Sequence, residues 1–211
     1  ITGAAITLGS KTSAVTNVDI TNTGPLTIPS GSMSLTGDFT QKGAGAVSLA
    51  ASIVTPGSIS FEGALIILGT TTLQGSKGLI LPSSIRPNSP NCDLNFECQE
   101  AILLNIKSLG SVDFPFGVLT VTASTLDLGG DVYSSSSIFI NAPITISANT
   151  TVNSLEGTGG ITLLKAVTVV SGSQTPSFSL YAAGGAANVN SLGSDAAPLG
   201  DVSLIGNTVF F

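Results

Sequence analysis

Short runs in which apolar residues alternate with small polar ones return at nearly even intervals along this chain, and no other feature restricts its folding as strongly. In the first half they are Ala5-Ile-Thr-Leu8, Pro25-Leu-Thr-Ile28, Ala46-Val-Ser-Leu49 and Ala64-Leu-Ile-Ile-Leu68, whose starts at 5, 25, 46 and 64 are almost equally spaced. Val118-Leu-Thr-Val-Thr122, Ser137-Ile-Phe-Ile140, Gly160-Ile-Thr-Leu163, Ser177-Phe-Ser-Leu180 and Asp201-Val-Ser-Leu204 follow in the second half, starting at 118, 137, 160, 177 and 201. Ser58-Ile-Ser-Phe61, Thr125-Leu-Asp-Leu128, Pro143-Ile-Thr-Ile146 and Val167-Thr-Val-Val170 fall between them, so each unit holds two or three strands of three to five residues. So small a unit cannot bury its own apolar face and must stack on its neighbours.

In a strand of period two, Ile, Val, Leu and Phe point into a common bore while Thr and Ser point outward. The expected fold is all-β: a parallel β-helix, or β-solenoid, of roughly ten coils, forming one domain over residues 1–211. At ~4.8 Å per stacked strand such a rod is about 48 Å long. Glycines such as Gly57, Gly63, Gly129, Gly130 and Gly157 are expected to supply positive φ at the corners. A β-sandwich is the rival architecture, because short strands and frequent turns suit it too. Against it stand the shortness of the strands and the lack of large aromatics, with no Trp and two Tyr.

The low charge, 9% of residues, needs explaining, because the 29 Ser and 24 Thr that replace it are also common in disordered chains. Here 42% of residues are hydrophobic, mostly β-branched or aliphatic, which is enough to fold. Six scattered cations (Lys11, Lys42, Lys77, Arg86, Lys107, Lys165) against twelve acids leave no basic surface for nucleic acid. No apolar run is long enough for a transmembrane helix. The chain starts at Ile1 without signal-peptide features, and reads as a processed product or a piece of something longer.

Residues 82–100 break the rhythm, with three of the ten prolines, the single Arg and both cysteines. They read as an irregular loop leaving the rod, since Pro removes ladder donors. Such a loop is a candidate interaction site, with Arg86, Asp93, Phe96 and Glu97 as its contact residues, although it is also readable as decoration of one corner. Cys92 and Cys98 are spaced to close a small disulfide loop in an oxidising compartment, or else are two reduced thiols.

Phe39-Thr-Gln-Lys-Gly-Ala-Gly-Ala-Val-Ser-Leu49, Ile53-Val-Thr-Pro-Gly-Ser-Ile-Ser-Phe-Glu-Gly63 and Leu68-Gly-Thr-Thr-Thr-Leu73 resemble the repeats of large bacterial surface adhesins of the filamentous-haemagglutinin-like kind. Gly157-Thr-Gly-Gly-Ile-Thr-Leu163 and Ala197-Pro-Leu-Gly-Asp-Val-Ser-Leu204 are similar to the same class. The resemblance implies a right-handed β-helical shaft, export across a bacterial envelope, and roles in adhesion, biofilm or aggregation. It brings no catalytic motif.

The residues themselves argue against an enzyme. Without His there is no Ser–His or Cys–His couple. The acids are spread out, and the nearest approach to a glycosidase pair is Asp127 with Asp131 from neighbouring coils. Asp93, Glu97 and Glu100 are candidate calcium ligands, with a solvated charged loop as the simpler account. The Thr residues at 21, 23, 70, 71, 72, 120 and 122 do not recur coil after coil as an ice-binding array requires. No cofactor is expected.

The function expected is therefore a structural or adhesive segment of a secreted microbial cell-surface protein. Its partners are neighbouring coils of a longer parent, host or matrix ligands, or itself. The strand-like, uncapped ends, Ile1 on one side and Val209, Phe210 and Phe211 on the other, make a self-assembling filament subunit the alternative. A carbohydrate-binding or carbohydrate-active helix ranks third.

Overall fold

The computed structural model describes residues 1–9, 12–104, 108–156, 158–170, 175–194 and 198–211. Lys11, Lys107, Gly157, Asp195 and Ala197 lie outside them. All of its regular structure is β, and every strand pairing is parallel. The strands stack as a β-solenoid of about 9 turns. Successive rungs are unevenly spaced in sequence: Val47 pairs with Leu65, whereas Thr150 pairs with the more distant Phe178. About nine turns at ~4.8 Å make a rod near 43 Å.

Three parallel faces surround the core. Face I is the stack Val18–Asn22, Phe39–Lys42, Ser58–Phe61, Gly78–Leu81, Ala101–Leu104, Thr125–Leu128 and Ile144–Ile146. Face II includes Leu65–Ile67, Ser84–Pro87, Ser108–Leu109, Asp131–Ser134 and Thr150–Ser154. Face III includes Thr71–Gly75, Leu94–Glu97, Leu119–Thr122 and Ile138–Asn141. Longer strands run round corners: Val47–Thr55 joins II to III, and Phe178–Leu192 touches all three faces.

The alternation works as the residues dictate. Val47, Leu49, Ala51, Ile53 and Thr55 of one strand are all buried, while Ser48, Ala50, Ser52 and Val54 face outward. The inward residues of each rung sit on those of the next, giving one continuous core that includes Phe39, Phe61, Phe96, Phe116 and Phe178. Phe39 and Phe61, on adjacent rungs, pack in a tilted arrangement with ring centroids 5.1 Å apart. The step from Gly160 to Ser177, which looks like one more repeat, joins different faces: residues 161–163 lie on face III and 178–182 on face II. All three faces share one pattern, so spacing alone cannot tell them apart.

Polar side chains also enter the bore, at the corners. Gln41 and Asn22 are fully buried, with Gln41 Nε2 donating to Asn22 Oδ1 at 2.8 Å. Gln41 Oε1 accepts from the amides of Glu62 and Gly63 at 3.0 and 2.9 Å, so one side chain ties three coils. The glycines beside it serve close approach: a Cβ on Gly45 or Gly63 would strike the carbonyl of the glycine one coil earlier, Gly24 or Gly45. The expectation of positive φ at Gly57, Gly63, Gly129 and Gly130 is corrected, because the left-handed glycines among the described residues are Gly31, Gly43, Gly78, Gly110 and Gly193, and Gly57 too is fixed by its closeness to Gly37.

Candidate functional site

Residues 82–100 are not a loop leaving the rod. Ser84–Pro87 pairs with Leu65–Ile67 and Ser108–Leu109, and Leu94–Glu97 pairs with Thr71–Gly75 and Leu119–Thr122. Ile85, Leu94 and Phe96 fill the core like any other inward residues. Pro87 is tolerated because the next amide, Asn88, carries the ladder on by donating to the Ile67 carbonyl at 2.8 Å. What grows is the corner between faces II and III. It comprises residues 68–70 in one coil, 88–93 in the next, 110–118 in the third and only 135–137 after that.

This widened corner is tied down. Asn91 takes φ 73, and its Oδ1 accepts the Ser135 hydroxyl at 3.1 Å. Asp93 Oδ1 accepts the Val118 amide at 2.7 Å, and the Cys92 carbonyl accepts the Gly117 amide at 2.9 Å. Residues 111–114 form a turn in which the Ser111 amide donates to the Phe114 carbonyl at 3.0 Å. It leaves Val112 and Phe114 exposed, with the Arg86 guanidinium 5.7 Å from the Phe114 ring centroid.

Around the corner, face III carries two shallow depressions, one at the C-terminal end of Leu94–Glu97 and one along it. One of about 330 Å³ is lined by Gln74, Ser76, Glu97, Cys98, Gln99 and Thr122. The other, about 400 Å³, includes Thr70, Thr72, Asp93, Asn95, Thr120 and Thr122. Glu97 lines both, and its Oε1 accepts from Asn95 Nδ2 at 2.8 Å. The surface is open and weakly acidic, and offers hydroxyl, amide and carboxylate groups for hydrogen bonding.

Of the expected contact residues, Arg86 reaches the surface on face II beside Phe114, and Asp93 and Glu97 do so at the second depression on face III. Phe96 does not: it is fully buried, because its parity with Leu94 sends it inward. Cys92 and Cys98 are both buried and not joined in a disulfide. The strand Leu94–Glu97 between them extends about 10 Å, beyond the ~7 Å Cα separation a disulfide spans. Burial pushes the Cys98 thiol above its ordinary value, with the nearby Glu100 charge adding to the effect.

The acids are dispersed into separate roles. Asp127 stands on face I and Asp131 on face II. Asp93, Glu97 and Glu100 make no cluster of three metal-ligating groups among the described residues. Several acids and amides instead bond the backbone of the following coil. Asn17 Oδ1 accepts the Asp38 amide, Asp38 Oδ1 accepts the Ser58 amide, and Asp131 Oδ1 accepts the Thr151 amide, at 2.8, 2.7 and 2.8 Å. The Ser58 amide, with its hydroxyl and the Lys77 charge, holds Asp38 below the usual carboxylate range. Burial moves Asp127 the other way, against a hydrogen bond from Thr145. Nothing in composition distinguished these staples from solvated turn acids; their position one coil before a strand start is the signal.

At the ends, Ile1, Phe210 and Phe211 are 67%, 54% and 77% exposed, and Val209 is exposed as well. Among the described residues, Val202–Phe210 pairs with Phe178–Leu192 alone. No family model matches the chain, and no curated protein or solved structure matches it either.

Proposed function

We propose that this chain is a structural and adhesive shaft segment of a secreted microbial cell-surface protein, supporting attachment, aggregation or biofilm. The observation that carries the proposal is the unbroken core running through the stacked rungs, wrapped in faces of Ser, Thr and Asn with few charges. Such a rod resists bending because each coil is bonded to the next by a full parallel ladder and by side-chain staples. Asp38, Asp93 and Asp131 are occupied in that stapling. The resemblance to filamentous-haemagglutinin-like repeats supports the same reading and the extracellular setting.

The test is display of the chain between an anchor and an epitope tag on a cell surface. The tag should stand farther from the membrane by about the rod length of 43 Å, and the cells should gain adhesion to abiotic or matrix surfaces. A displayed chain that adds no height and no adhesion would refute the proposal.

A filament subunit is the second reading: the parallel ladder that seats Val202–Phe210 on Phe178–Leu192 is the kind of contact that would also join one copy to another. Light scattering over a concentration series decides: growth of long particles supports a filament, and a constant monomer mass removes it.

A further inference from the structure

Face II carries a file of outward side chains unlike the rest of the rod. Tyr133 pairs with Asn153, and Asn153 with Tyr181, in three successive rungs. The chain has two tyrosines and no tryptophan, so both tyrosines stand in one file with a single amide between them. Two rungs at ~4.8 Å place them about 10 Å apart along the axis, the scale of a disaccharide.

Tyr133 is fixed in place: its hydroxyl donates to Asp131 Oδ2 at 3.3 Å, and the other oxygen of that carboxylate is bound to the Thr151 amide. Tyr181 is 40% exposed. Between them, Asn153 Oδ1 is shielded and has no hydrogen-bond partner among the described residues. A shielded amide oxygen without a donor is uncommon and calls for a ligand or a structural reason. On the far side of Tyr133 the file passes Gly110, whose amide bonds the Ile85 carbonyl and which adds no side chain, and then reaches Arg86 against Phe114. A second outward file runs beside it, Ser108, Asp131, Thr151, Ser179 and Ser203.

Aromatic faces flanked by hydroxyl, amide and carboxylate groups match the chemistry of a pyranose ring, which is apolar on its C–H face and rich in donors and acceptors at its edge. From the Arg86 rung to the Tyr181 rung the file runs four steps, about 19 Å, straight along the axis. That shape suits an extended chain rather than a branched terminus. The net charge of −6, with Asp131 in the adjoining file, disfavours a polyanion.

We infer that Tyr133, Asn153 and Tyr181, with Asp131 and Thr151 beside them, bind an uncharged linear matrix polysaccharide laid along face II. This rests on the adhesive reading and names its ligand class.

The two tyrosines make the test direct, because in a tryptophan-free chain they dominate the ultraviolet emission and both belong to the site. Titration with cellohexaose, mannohexaose and xylohexaose should change that emission saturably for at least one of them. Tyr181→Ala should weaken that binding at least tenfold in calorimetry, Tyr181→Phe should retain most of it, and Phe139→Ala on face III should leave it unchanged. The inference is overturned if none of the three hexasaccharides binds, if hexagalacturonate binds more tightly than they do, or if Tyr181→Ala binds like the parent. Those results would leave the surface-display height and the adhesion to abiotic surfaces intact, so the shaft proposal stands or falls separately.

Discussion

Replacing Gln41 by Leu keeps its volume and removes every polar bond it makes. Gln41 Nε2 donates to Asn22 Oδ1, with the carbonyls of Lys42 and Gly43 each at 3.1 Å, and its Oε1 holds the amides of Glu62 and Gly63. The Glu62 amide keeps its 3.2 Å bond to the Gln41 carbonyl. Asn22 Oδ1 and the Gly63 amide are then left without these bonds. At about 1 to 3 kcal/mol for each buried group stranded, the cost is about 2 to 6 kcal/mol. In a stacked-repeat protein that cost falls on the coils concerned rather than on the whole rod. Amide hydrogen exchange of Gln41→Leu should therefore show protection falling by roughly 30-fold or more in Val18–Asn22, Phe39–Lys42 and Ser58–Phe61. Ile138–Asn141 and Thr150–Ser154 should keep theirs. Replacing Asn22 by Leu as well should recover part of the loss, because both members of one bond are then apolar. Unchanged exchange in the three N-terminal rungs, or an equal loss along the whole chain, would refute the reasoning.

Phe96→Ala should cost about 3 to 5 kcal/mol in urea unfolding, while Glu97→Ala next to it stays within about 0.5 kcal/mol; equal small effects would return residues 82–100 to an external loop. Asp38 has a depressed folded-state pKa, so its contribution to stability is present above the unfolded value near ~3.9 and is lost as pH falls through the lower folded value. Asp38→Ala should accordingly melt below the parent at pH 7, with the gap closing in strong acid; a gap independent of pH contradicts the staple. For Asp127 the folded value is raised, so the charged form is penalised above it and relieved below the unfolded value. Asp127→Asn should melt higher than the parent at neutral pH and equal it near pH 3, and a lower melting temperature at neutral pH would oppose this. Both cysteines should resist a thiol reagent in the folded protein and both should react in denaturant without reductant; no reactive thiol after unfolding would establish a disulfide.

Parity made most of the core legible: apolar residues recurring at every second position are buried as a set in most rungs, as in Val47 to Thr55, though not in Val202–Phe210. The same rule applied to Leu94-Asn-Phe-Glu97 places Phe96 inside, but the density of proline, cysteine and charge around it reads as a loop. Pro87 ends up at a point where the ladder can skip one donor, which depends on a neighbouring strand far away in sequence. Gln41 shares parity with Phe39, so its inward course was visible, yet its satisfaction depends on Asn22 and Gly63 in adjacent coils. The Tyr133–Asn153–Tyr181 file was hidden for a similar reason. Its members are unequally spaced in sequence, and only the uneven coil lengths bring them into line.

The central claim, that these rungs stack in parallel register along one axis, is tested most directly by distances between spin labels down a single outward file of face III. Ser32, Ser52, Thr72, Asn95, Thr120, Phe139, Thr162 and Asn188 follow one another in that file. With one label fixed at Ser32 and the second at Thr120, Thr162 or Asn188, at ~4.8 Å per rung the solenoid predicts separations of about 19, 29 and 34 Å, within the reach of the label arms. A β-sandwich, or any fold in which these distances fail to rise rung by rung, would contradict it.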